Sequence, residues 1–91
     1  MNNTRRKAIR ELSDKISDLI ALLDTYKNDI EPHRDDEQGY LDCMPENLQS
    51  SEKHDTAEEA VSHLEDAISN LDDAYSSLEN AVSELNSAVG D

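Results

Sequence analysis

With 91 residues the chain allows one domain at most, and with no Phe, no Trp and three Tyr it lacks the large aromatics around which a compact globular core is normally built. Its formal net charge of -14, from 8 Lys and Arg against 22 Asp and Glu, disfavours direct binding to nucleic acid, because phosphate contacts need cations. No apolar run approaches the ~18 residues of a membrane span, and the single Cys43 excludes an internal disulfide framework and fits a reducing cytoplasm.

The opening "MNNTRRKAIRELSD" is basic but has no apolar segment leading to a cleavage site, so no secretory signal is expected. Asn3 or Thr4 is suited to cap a first helix. Beyond it, Ile9, Leu12, Ile16, Leu19, Leu23, Tyr26 and Ile30 alternate in steps of three and four, which is a heptad seam. Ile20 and Leu22 add apolar residues outside that seam, a face wider than one partner helix covers. Pro32 lacks an amide donor and disfavours helix at Glu31. The seam phase nevertheless survives it, with His33 and Tyr40 at one position and Ile30, Glu37 and Met44 at the other. The expected helix runs over about 5–42 with a kink near Pro32. A shorter one would leave much of the second helix uncovered.

Residues 43–54 form the expected connection, with Pro45 opening a short helical turn. Asp55 and Glu58 stand in capping-box spacing, as do Thr56 and Glu59, and predict a second helix over about 56–89 ended by Gly90. Its period is strict. Val61, Ile68, Tyr75, Val82 and Val89 occupy heptad position a, and Ala57, Leu64, Leu71, Leu78 and Leu85 occupy d. An alanine precedes every a residue. An unbroken seven-residue repeat implies a left-handed supercoil, and alanine beside the seam lets a neighbouring backbone approach closely.

These elements predict an all-α protein, an antiparallel helical hairpin of coiled-coil type. The basic start of the first helix (Arg5, Arg6, Lys7, Arg10) would then meet Glu79, Glu84 and Asp91 at the end of the second. Two helices make one interface only. The remaining apolar residues predict a homodimer, a four-helix bundle, built through Leu19, Ile20, Leu22, Leu23, Ala67, Ile68, Ala74 and Tyr75.

Chemistry is sparse. There is no Gly-rich phosphate loop and no strand–turn–helix to present a nucleophile. Cys43 with His33 or His54 is a poor catalytic pair, and His33, Asp35, Asp36 and Glu37 lack metal-ligand spacing. No enzyme activity, metal or cofactor is expected. The acidic stripe carries more information: Glu58, Glu59, Glu65, Asp66, Asp72, Asp73 and Glu79 recur along one side of the second helix, one step every ~10.5 Å. From His54 onward there are ten acids and no Lys or Arg. A solvated face usually mixes signs. This one favours a basic protein surface as partner, with no direct nucleic acid and no membrane.

The stretches "RRKAIREL", "MPENLQSSEK" and "AEEAVSHLEDAISNLDDA" together resemble a family of small acidic helical proteins of bacteriophages and mobile elements of Gram-positive bacteria, over nearly the whole chain. "PENLQ" followed by Ser and Glu is the most specific part, and Pro32 departs from the uninterrupted helix such proteins carry. The resemblance implies an accessory protein in the cytoplasm of an infected or element-carrying host. With the acidic stripe, it leads to the expectation of a nucleic-acid mimic that inhibits a host nuclease or defence effector, of the anti-CRISPR or anti-restriction type. The alternative is a coiled-coil scaffold acting through its apolar seam.

Overall fold

The computed structural model describes residues 1–48 and 51–90. Two long helices, α1 (Asn3–Asp42) and α2 (Glu52–Ala88), are joined through a 3-10 turn at Glu46–Leu48. They form the all-α helical hairpin, and no strand occurs among the described residues. By backbone proximity the chain divides into two compact units, Met1–Thr25 with Leu71–Asp91, and Tyr26–Asn70. Each takes one stretch from each helix.

The helix starts are set by side-chain caps. Asn2 Oδ1 accepts the Arg5 amide at 2.8 Å and leaves the Asn2 carbonyl to accept from Arg6 at 3.1 Å. The cap is thus the residue before the expected Asn3 or Thr4. At α2, Ser51 Oγ accepts the His54 amide at 3.3 Å, and the helix begins at Glu52. Asp55 and Glu58, read as a capping box, lie inside the helix, because the chain already turns upstream. There the Leu48 amide donates to the Pro45 carbonyl at 2.9 Å and that of Ser51 to the Leu48 carbonyl at 3.0 Å. At the far end Gly90 takes a φ of 85°, a left-handed conformation that stops the helix. Gln49, Ser50 and Asp91, and with them part of the "PENLQ" stretch and one acid expected opposite Arg5, lie outside the described residues.

α1 passes through Pro32 and ends at Asp42. An interior proline costs about 3 kcal/mol relative to alanine, so the stretch beyond it must be held by packing. In the second unit Met44, Ala57 and Val61 are buried, with Leu41 and Leu64 half-buried around them.

On α2 the heptad reading holds. Positions a and d, and the alanines at 60, 67, 74 and 81, are all buried or half-buried, while Ala88 is exposed. On α1 only half of the expected seam turns inward. Ile9, Ile16, Leu23 and Ile30 do so, but their companions are Ser13, Ile20, Lys27, Arg34 and Leu41, each one residue later than the expected Leu12, Leu19, Tyr26, His33 and Tyr40.

The neighbour they meet, α2, carries ten acids and one lysine. The inward column carries Lys27 and Arg34, both half-buried, whose alkyl stems can cover apolar surface, and Arg34 pairs with Asp35 of its own helix at 2.8 Å. In the first unit Ser13, 4% exposed, donates its hydroxyl to Asn86 Oδ1 at 2.9 Å, a paired buried polar contact that penalises sliding of one helix past the other. Seven residues on, Ile20 lines a cavity with Ser17, Glu79 and Val82. Residue numbers rise on α1 as they fall on α2, so the two are antiparallel.

Two substitutions separate the two registers. Ile20→Asn places an unpaired amide in the interior and should cost ~2–4 kcal/mol. Tyr40→Asn, internal in the expected seam but exposed here, should change stability by less than ~0.5 kcal/mol. Thermal melts of dilute protein should place the first variant at least ~10 °C below the second. The reverse order would restore the register through Leu12 and Tyr40.

Candidate functional site

The acidic residues singled out on α2 all reach solvent. Glu58, Glu59, Glu65 and Asp66 are exposed in the second unit, and Asp72, Asp73 and Glu79 in the first. Their outward placement follows from the heptad, since positions e and f point away when a, d and g are covered. Asp72 is already engaged in a polar interaction. The only Lys or Arg on α2 is Lys53.

The hairpin adds what α2 alone lacks. In the second unit the last turns of α1 come beside the first four turns of α2. They enclose an open groove of about 590 Å³, bordered by Gln38, Leu41 and Asp42 on one side and His54, Glu58, Val61, Ser62 and Glu65 on the other. Leu41 and Val61 supply an apolar floor. Asp42, Glu58 and Glu65 supply carboxylates around it, and no Lys or Arg lines it. On the outer side of Glu58, a second depression of about 390 Å³ is lined by Asp55, Glu58, Glu59 and Ser62. Glu58 thus borders both. Chemically this is a receptor for cations with an aliphatic stem, a lysine or arginine whose methylenes rest on the floor while its head meets the carboxylates.

His54 is the polar exception. Its Nδ1 is shut off from solvent and has no hydrogen-bond partner. It lies 3.4 Å from Glu58 Oε2 and 3.9 Å from Asp55 Oδ1, close enough for charge attraction when the imidazole is protonated but not for a well-formed hydrogen bond. These three residues can bring one ligand atom each within 4.8 Å of one another. An expected connection over 43–54 puts His54 in a loop and hides the grouping; with α2 beginning at Glu52, residues 54 and 58 share a helix face. Their side chains are otherwise ordinary for the first turns of an acidic helix.

Elsewhere, Cys43 is a free, exposed thiol, and His33 and His63 are exposed. Asp35 is paired with Arg34 at 2.8 Å, and Glu37 turns toward a separate depression lined by Tyr40, Glu52 and Lys53. The eight residues expected to build a dimer separate. Only Leu19 and Leu22 stay exposed. Leu23, Ala67, Ile68, Ala74 and Tyr75 are half-buried, and Ile20 is buried. Ile20 is not open to a second copy, because the hairpin itself uses the column it belongs to.

Among the described residues, no helix is long and apolar enough to cross a membrane. Comparison with family models, curated proteins and solved structures finds no match.

Glu59, Glu65 and Asp66 are exposed and lie outside the packed face of α2. Replacing Glu59 and Glu65 by Gln and Asp66 by Asn should therefore preserve helicity. It should also raise the melting temperature slightly at about 0.01 M salt, where the screening length of ~30 Å spans neighbouring steps of the stripe. At about 1 M salt, with screening over ~3 Å, the difference should vanish. A variant melting below the parent at low salt would show that these acids hold the fold.

Proposed function

We propose that this chain is a non-catalytic binding protein whose acidic surface docks on a basic protein surface, in competition with nucleic acid. The carrying observation is the groove of the second unit. Three carboxylates surround an apolar floor, and Asp55 and Glu59 extend the negative surface on the outer side of Glu58. A surface kept anionic only for solubility has no need of a floor. Lysine and arginine side chains that grip a phosphodiester backbone carry both parts this groove would meet, a stem and a charged head. Steps of ~10.5 Å along one helix face do not match the ~7 Å between neighbouring phosphates on a strand. Asp42, contributed by α1, breaks that spacing and brings a carboxylate beside those of α2.

The setting follows from the resemblance carried by "RRKAIREL", "PENLQ" and the acidic heptads: the cytoplasm of a bacterium harbouring a phage or mobile element. There the partner is a host nuclease or other nucleic-acid-targeting defence effector, and the protein is its inhibitor. A scaffold acting through apolar contacts is the second reading, favoured by the exposed Leu12, Leu19 and Leu22.

Cleavage assays with purified host restriction and RNA-guided nucleases distinguish the two. The acidic surface should inhibit at least one of them, and inhibition should weaken steeply between about 0.05 and 0.2 M salt. It should also fall at least ~10-fold in the Glu59→Gln, Glu65→Gln, Asp66→Asn variant. Inhibition that persists unchanged in that variant would remove the acidic surface from the contact. Loss of inhibition on replacing Leu19 instead would favour the scaffold.

A further inference from the structure

In the first unit α1 carries two columns of residues that can complete the same seam. Ile9, Ile16 and Leu23 are half-buried and belong to both. The column in use is Arg6, Ser13 and Ile20; the exposed column next to it is Arg5, Leu12 and Leu19. Consecutive residues of a helix stand about 100° apart, so the two columns lie on either side of the shared one. Turning α1 by about 50° around its own axis exchanges them. Level by level, the exchange puts an arginine for an arginine, a leucine for a serine and a leucine for an isoleucine. Charge is kept, and the packed stripe gains one large apolar residue.

The packing in use is the less well filled of the two. Ser13, 4% exposed, occupies a level at which the other column offers Leu12, left 53% exposed. A cleft of about 240 Å³ opens beside Ile20, lined also by Ser17, Glu79 and Val82. Against these stands the hydrogen bond from the Ser13 hydroxyl to Asn86 Oδ1 at 2.9 Å, which the exchange breaks. One net hydrogen bond and the burial of one aliphatic side chain are of similar worth, so the two packings lie close in free energy.

We propose that the first unit is a two-state device, in which α1 turns about its axis between the packing described above and a minor one, held by about 1% of molecules. In the minor state Leu12 and Leu19 pack on α2, while Ser13 and Ile20 face solvent. Two packings of one helix pair separated by little free energy form a switch. What covers the exposed leucines is then α2 itself, and anything that grips Leu12 and Leu19 holds the hairpin in its major state. The proposal is independent of the acidic groove, which lies in the other unit.

Thiol labelling of the full chain tests this, with circular dichroism to confirm that each variant is folded. In a Cys43→Ser background, the thiol introduced by Ile20→Cys is covered in the major state and open in the minor one. It should react with iodoacetamide far faster than global unfolding allows, at a rate nearly independent of dilute urea, because the turn exposes little surface. Ser13→Ala removes a bond that only the major state makes, and should raise the rate ~5-fold. Leu12→Ser removes packing that only the minor state makes. It should lower the rate at least ~5-fold and leave the melting temperature nearly unchanged, since Leu12 is exposed in the major state. Fraying of the helix would not be slowed by that change. Labelling that only follows global unfolding overturns the proposal, and so does a rate indifferent to Leu12→Ser. If Ile20→Cys does not fold, methyl relaxation dispersion on the unsubstituted chain decides: exchange at the Ile20 methyl that Leu12→Ser suppresses supports the second state, and its absence overturns it.

Discussion

The structure depends on one constraint: α2, a helix with ten acids and a single lysine, must cover an unbroken apolar stripe with a single neighbour. The stripe demands a partner with a matching seven-residue repeat. The carboxylates beside it penalise any partner that brings no cations. α1 meets both demands by pairing its Ile9, Ile16, Leu23 and Ile30 with a column that holds Ser13, Lys27 and Arg34 rather than with the more apolar column one residue earlier. The column that turns inward thus carries one hydrogen bond between the helices, from Ser13 to Asn86, and less apolar area than the column before it.

Two surfaces follow from that choice. Facing the groove of the second unit, α1 contributes Leu41 to the floor and Asp42 to the rim, so that acids of α2 become part of a concave site instead of a plain solvated face. On the flank of α1 in the first unit, beside the packed face, Leu12, Leu19 and Leu22 are left exposed. The first surface is suited to a basic partner and the second to an apolar one. The two readings of function are therefore not exclusive, because the two surfaces sit on different residues.

The fold was legible because α2 agrees with itself at every level. Apolar period, alanine spacing and the terminal glycine all give one answer, and the exposure of Glu58 through Glu79 follows from that register alone. α1 was not legible to the same degree. Its a-type residues can be completed by the column before or the column after, and hydrophobicity ranks Leu12, Leu19 and Tyr26 above Ser13, Ile20 and Lys27. Only knowledge of the partner surface reverses that order, and a partner surface is a tertiary fact. The same limit hid the groove. Asp42 and Glu58 are far apart in sequence and meet only once the connection has turned and Ser51 has capped α2. α1 includes Pro32 and runs to Asp42, a length comparable to that of α2.

The inward face of α1 is the claim on which both surfaces rest, and methyl-labelled NMR of dilute, monomeric protein tests it most directly. The account predicts nuclear Overhauser contacts between the Ile20 and Val82 methyls, which line one cavity, together with strong bleaching of the Leu12 and Leu19 methyls by a soluble paramagnetic agent. Contacts from Leu12 and Leu19 to α2, with Ile20 bleached, would contradict it.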